Sequence, residues 1–125
     1  MRKTLPALVA VAFVLTACGG EPEPDWAAQA EEMCLEAVAN EMKDPNSTEF
    51  RDVTVEHGGN AVTMDFQNKD GSTDEDVEGE YWEVLGEVNA KNGFGAMVGF
   101  RDFECEANKY EGRDMDTGYI NIARR

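Results

Sequence analysis

The dipeptide Asn92-Gly93 constrains the fold of this 125-residue chain more than any other feature, because it separates two runs of alternating apolar and polar residues. The runs extend over 81–91 and 94–105. Asn-Gly between such runs is typical of a two-residue type I′ turn in a β-hairpin. A two-residue turn fixes the register and places Trp82 opposite Phe103. The sequence therefore predicts an antiparallel hairpin in which every cross-strand pair is defined.

That register divides the hairpin residues between the two faces of a sheet. One face is mostly apolar and is predicted to face the core; it consists of Trp82, Val84, Val88, Ala90, Met97, Phe103 and Cys105. The other face mixes apolar and charged side chains, and it is open to a partner unless the acidic loop or the run 119–122 packs on it. Its candidate partner surface consists of Leu85, Asn89, Phe94, Val98 and Phe100.

The segment from Trp26 to Met42 repeats apolar residues at helical spacing, with Cys34 in the apolar stripe. Asp25 is a suitable N-cap, and Pro45 discourages the helix from continuing. We therefore expect one amphipathic helix whose buried side includes Cys34.

Between this helix and the hairpin, the apolar period falls toward two. Residues 50–55 and 61–67 are predicted as the strands of a first hairpin, separated by Gly58-Gly59-Asn60. The acidic, glycine-containing segment 68–80 is predicted as a loop. Together the elements predict a single small α+β domain over residues 25–125, in which one N-terminal helix packs on a four- to five-stranded antiparallel meander.

The start of the chain has the layout of an export signal. Arg2 and Lys3 precede an apolar run over residues 5–17. Thirteen residues rising about 1.5 Å each cover roughly 20 Å, whereas a helix that crosses a membrane must cover roughly 30 Å. The run therefore predicts a signal and not a membrane-spanning anchor.

The apolar run ends in Leu15-Thr16-Ala17-Cys18, which resembles the lipobox of bacterial lipoprotein precursors. The resemblance implies a signal peptide over residues 1–17, lipidation of Cys18, and a linker over 18–24. A soluble export signal that is cut nearby, for example after Gly20, is the alternative.

The cysteine count is consistent with lipidation. The chain has three cysteines, and an odd count in an exported protein leaves one to be explained. If lipid occupies Cys18, then Cys34 and Cys105 remain as a pair in an oxidising compartment. The helix stripe and the hairpin register place these two on facing surfaces, so we expect a disulfide. Two buried free thiols are the alternative.

Acidic residues outnumber basic ones by 26 to 11, which gives a formal net charge of −15. Such a surface repels phosphate backbones, so nucleic acid is not an expected partner. It also repels anionic lipid, so the membrane would be held by the acyl chains of Cys18. The charge favours either solvation or attraction of a cationic protein or peptide.

The sequence contains no recognisable catalytic set. His57 is the only histidine, no serine lies in a nucleophile elbow, and zinc would require clustered His and Cys. The carboxylates between Asp65 and Asp76 do not fit an EF-hand, because its first position would be Phe66 and its twelfth Val77. We therefore predict no catalytic residue, no cofactor and no metal site. A weak, irregular cation site in the acidic loop is the alternative.

The run Gly86–Gly95, followed by Val98-Gly99-Phe100, is similar to a GEVNAKN…G…GF motif in an uncharacterised family of small exported proteins of proteobacteria and their phages. The segments 44–47 and 50–53 are similar to residues that commonly precede that motif. The resemblance implies an architecture but no activity. Many members have a cysteine where this chain has Leu85, so their disulfide pattern cannot be transferred.

These features favour a lipid-anchored protein of the cell envelope that is not an enzyme and binds a protein or peptide. Inhibition of a cationic envelope hydrolase such as a lysozyme is an alternative, as is a structural lipoprotein; a small hydrolase using acidic residues is less favoured. Gly19 after the lipidated cysteine favours the outer membrane under the enterobacterial sorting rule, with the domain in the periplasm. The sequence predicts neither the partner's identity nor the oligomeric state.

Overall fold

The computed structural model describes residues 23–124. The predicted signal peptide, Cys18 and most of the predicted linker lie outside the described residues. The described part is an α+β structure, as predicted, with one α-helix and two antiparallel sheets of four and two strands. The elements are α1 (Trp26–Asn40), a 3-10 helix (Pro45–Ser47), β1 (Glu49–Asn60), β2 (Met64–Gln67), β3 (Thr73–Val77), β4 (Gly79–Asn89), β5 (Arg101–Tyr110) and β6 (Asp116–Ile122).

Helix α1 begins where the sequence predicts. The Asp25 side chain accepts a hydrogen bond of 3.0 Å from the backbone N–H of Ala28, which satisfies one of the free donors at the helix start. Ala30, Cys34 and Val38 follow at four-residue spacing and are buried. One stripe of the helix therefore packs on the four-stranded sheet.

The four-stranded sheet has the strand order β1-β4-β5-β6. Strands β4, β5 and β6 follow one another as a meander. Strand β1 pairs with β4, although β2 and β3 lie between them in the chain and form the separate two-stranded sheet. The predicted meander is therefore correct for the last three strands but not for the order as a whole.

The hairpin of β4 and β5 exists, but its register differs from the predicted one. Trp82 lies opposite Ala107 instead of Phe103, because residues 90–100 form a long loop where a two-residue turn was predicted. The shift, from position 103 to position 107, is an even number of residues, so every paired side chain keeps its predicted face. Cys105 therefore still faces helix α1.

The predicted first hairpin is wrong. Strand β1 continues through Gly58 to Asn60 and pairs with β4, while β2 pairs with β3, which lies inside the segment predicted as a loop. Gly58 is needed for packing and not for a turn, because a Cβ atom there would lie 2.0 Å from the Cε2 atom of Tyr81. The glycine lets the tyrosine ring lie against the backbone of β1.

The core lies between α1 and the face of the four-stranded sheet that packs on it, called the inner face below. A disulfide joins Cys34 of α1 to Cys105 of β5 with a Cα–Cα distance of 5.8 Å, which confirms the predicted pair. Met97, predicted in the core, is 40% exposed because it lies in the 90–100 loop. The buried apolar residues are Ala30, Cys34, Val38, Met42, Trp82, Val84, Val88, Ala90, Phe103, Cys105, Ala107 and Met115.

Candidate functional site

The residues of the predicted partner surface differ in their exposure to solvent. Leu85 is half-buried on the outer face of the four-stranded sheet, which is turned away from α1. Asn89 is buried, with 8% of its surface exposed. Val98 and Phe100 are half-buried in the second half of the 90–100 loop. Phe94, at the tip of the loop, is 99% exposed and is the only one of the five that is fully open to solvent.

The Asn92 side chain organises the tip of this loop. Its Oδ1 atom accepts hydrogen bonds from the backbone N–H groups of Phe94 and Ala96, at 2.9 and 3.1 Å. The Asn92 backbone accepts from Gly95 and donates to Ala96. Gly95 has a φ of +82°, which glycine adopts without strain. These hydrogen bonds hold Phe94 on an ordered turn.

Two further side chains hold the base of the loop. Ser47, in the 3-10 helix, accepts a hydrogen bond of 2.9 Å from the backbone N–H of Lys91. The amide oxygen of Asn89 accepts one of 2.9 Å from the backbone N–H of Gly99. Because Asn89 is buried, its hydrogen bond is shielded from water and fixes the returning half of the loop.

Arg51 connects strand β1 to the loop. Its guanidinium donates to both carboxylate oxygens of Glu87, at 2.9 and 3.0 Å, and lies 3.9 Å from the centre of the Phe100 ring. The hydrogen bond with Arg51 lowers the pKa of Glu87, and the same bond raises the pKa of Arg51. Both side chains are accessible to water, so the pair contributes to the position of Phe100 more than to stability.

Carboxylates lie side by side on the outer face. Glu56 of β1 pairs with Glu83 of β4, and Glu83 pairs with Glu106 of β5, so three acidic side chains occupy adjacent positions across three strands. Among the ion pairs of residues 23–124, none includes any of the three. Like charges directly opposite one another in a sheet are destabilising. The outer face therefore carries a negative potential at some cost in stability.

A shallow groove of about 460 Å³ lies next to this row. Its lining includes Leu85 and Asn121 together with the acidic residues Asp52, Asp102 and Glu104. The segment 119–122 does not cover this face, contrary to one expectation, because it forms β6 and extends the same sheet. The middle of the outer face is thus open and acidic.

The acidic segment after β2 uses its carboxylates within the protein. Asp70 accepts hydrogen bonds from the hydroxyl and the backbone N–H of Ser72, which lower the pKa of Asp70. Asp65 accepts from the backbone N–H of Asp76. Across residues 23–124, no group of three or more His, Cys, Asp or Glu side chains has an arrangement that could hold a metal ion.

The segments that carry the family resemblance contact one another at the end of β4 and the start of the 90–100 loop. Ser47 lies in the segment 44–47 and Arg51 in the segment 50–53, and their partners Lys91 and Glu87 lie in the motif run 86–95. The sequence alone predicts no role for Ser47 or Arg51, because their contacts depend on the pairing of β1 with β4. Their presence in the motif was the one available signal.

No helix in the part of the chain that the structure describes is long and apolar enough to cross a membrane. Comparisons with models of protein families, with curated proteins and with solved structures gave no match to this chain.

Proposed function

We propose that this protein is a lipid-anchored protein of the cell envelope that binds a cationic protein without catalysing a reaction. The observation that carries the proposal is Phe94, which is 99% exposed at the tip of an ordered loop. Aromatic side chains are frequent anchors of protein interfaces, because they bury a large apolar area with few rotatable bonds. An ordered loop also reduces the entropy lost on binding.

The charge of the domain supports a cationic partner. The formal net charge is −15, and unpaired carboxylates lie side by side on the outer face beside β4, the strand that leads into the loop. Such a field accelerates association with a positively charged protein and discourages acidic competitors. Phe94 would supply the apolar contact, and the carboxylates would supply the selection by charge.

The proposal is tested by capture from envelope extracts with the wild-type protein, with Phe94→Ala and with Val62→Ala. Val62 is the matched control, because it is also apolar and 84% exposed but lies between β1 and β2. We expect the wild type and Val62→Ala to retain the same basic proteins, released by salt, and Phe94→Ala to lose them. Thermal unfolding should be the same for all three, since neither side chain is buried.

Two results would overturn the proposal. One is capture of the same proteins by Phe94→Ala. The other is binding of the wild type, but not of Phe94→Ala, to vesicles of phosphatidylethanolamine and phosphatidylglycerol, which would make Phe94 a membrane contact. The anchor is tested separately by mass spectrometry of the mature protein. We expect an acyl mass on Cys18 as the first residue, and an unmodified peptide that begins elsewhere would remove the anchor from the proposal.

A further inference from the structure

The two edges of the four-stranded sheet differ in how they are protected against pairing with another strand. Strand β1 has two irregularities in its register with β4, and four of its side chains before His57 are charged. Strand β6 has one irregularity, before Ile120, and its single charged residue is Asp116 at its start. Bulges and charges are the usual means by which an edge strand avoids pairing. Residues 120–122 of β6 lack both, and the nearest charged residue after them is Arg124.

The backbone of this end of β6 points its hydrogen-bonding groups away from the sheet. The backbone N–H of Ala123 donates to the carbonyl of Asp102 in β5 at 2.8 Å, so Ala123 and Asp102 form a hydrogen-bonded pair of the ladder. In an antiparallel ladder such pairs alternate with pairs whose polar groups point outward. By this alternation Ile120 and Ile122 direct their N–H and C=O groups toward the open edge.

A groove follows the same edge on the side of helix α1. Its volume is about 410 Å³, and it is lined by Ile120, Ile122, Gly118 and Glu41. Glu41 is the C-cap of α1, where the helix dipole and the carboxylate both favour a cation. The groove therefore places the side chains of Ile120 and Ile122 beside one carboxylate, that of Glu41.

We propose that β6 accepts an extended cationic segment of a partner protein as a fifth strand of the sheet. Alternate side chains of the added strand would lie on Ile120 and Ile122, so this side should be apolar. The opposite side chains would lie beside the outer face, where Glu104 pairs with Asn121 of β6, so Lys or Arg fits there. The added strand thus alternates apolar and basic residues.

The charge of the chain selects this occupant over a second copy. Antiparallel pairing of two β6 strands would bring together two domains that each belong to a chain of formal charge −15, with their acidic outer faces side by side, which is electrostatically unfavourable. This contact does not depend on Phe94, so it stands apart from the function proposed above.

Hydrogen exchange resolved to single amides tests the inference on the full-length protein purified in detergent. The probe is an acetylated and amidated octapeptide of alternating Val and Lys. At about ten times its Kd, we expect the probe to slow exchange at Ile120 and Ile122 by about tenfold. The control is the same peptide with every amide N-methylated, which keeps the charge but lacks N–H donors and carries methyl groups that hold the two backbones apart, and it should protect neither amide.

Variants of the groove sharpen the test. Glu41→Lys should weaken binding of the probe by about fivefold, or about 1 kcal/mol. Glu36→Lys, an equal charge change at an exposed position of α1, should leave it unchanged, as should Phe94→Ala. Equal protection by the N-methylated peptide would overturn the inference, because the contact would then be electrostatic only. So would protection confined to other strands, or protection without peptide that rises with protein concentration.

Discussion

The two faces of the four-stranded sheet are built from alternate residues of the same strands, and yet one is apolar and buried while the other is exposed and acidic. The inner face buries Val84 and Val88 without a charge between them and is joined to α1 by the disulfide. The outer face places Glu83 between two other glutamates. The difference indicates that the inner face supplies most of the stability, while the outer face carries a cluster of like charges that is unfavourable for it.

Removal of the disulfide that joins α1 to the inner face should produce the largest loss of stability. The double variant Cys34→Ala/Cys105→Ala opens a link between residues 71 apart in sequence, so the free energy of unfolding should fall by about 4 kcal/mol on the chain-entropy model. Urea denaturation followed by circular dichroism measures the change. A fall of less than about 1 kcal/mol would show that the apolar contacts of the inner face suffice without the link.

Adjacent residues of β4 offer a matched comparison of the two faces. Val84 is fully buried on the inner face, and its replacement by Ala should cost about 2 kcal/mol because it removes two methyl groups and leaves a cavity. Leu85 is half-buried on the outer face, so Leu85→Ala should cost about 1 kcal/mol or less although it removes more atoms. Equal losses in urea denaturation would mean that the outer face also contributes a core.

The sequence was sufficient to assign the side chains of β4 and β5 to the two faces of the sheet, because an even shift of register leaves each side chain on the same face. Cys105 was therefore assigned to the correct face, although the cross-strand register around it was not correct. Asn92 misled the prediction of the turn: its side chain accepts two backbone hydrogen bonds and supports a longer loop, which competes with the two-residue turn. A side chain that replaces backbone hydrogen bonds cannot be recognised from the dipeptide alone.

The strand order could not be predicted from the sequence, for a different reason. Gly58 is a plausible turn residue, but β1 continues through it, paired with β4, and Tyr81 packs on it. The contacts of Ser47 and Arg51 with the loop depend on the same pairing of β1 with β4. Such pairings join residues far apart in the chain, and the periodicity of one segment does not specify them. The sequence therefore predicted Phe94 as a candidate site residue, but it did not predict that Ser47 and Arg51 hold the loop.

Neutralising Glu83, the middle of the three adjacent glutamates on the outer face, should change stability less and in the opposite direction. Glu83→Gln removes two unfavourable cross-strand contacts, with Glu56 and Glu106, so the free energy of unfolding should rise by about 0.2–1 kcal/mol. The gain should shrink in high salt, because salt screens exposed charges. A variant less stable than the wild type at low salt would show that the row is not under electrostatic strain.

The Arg51–Glu87 pair should give the smallest effect, because the side chains are 53% and 27% exposed and water screens their attraction. Arg51 lowers the pKa of Glu87 in the folded state below its ordinary value of 4.5. A lowered folded pKa means that the pair stabilises the fold above that ordinary value and that the contribution is lost as the pH falls through the folded pKa. We therefore expect the difference in stability between wild type and Glu87→Gln to be constant near neutral pH and to vanish in acid. Urea denaturation across that range measures it, and a difference that persists below the folded pKa would show that Glu87 acts through packing and not through its charge.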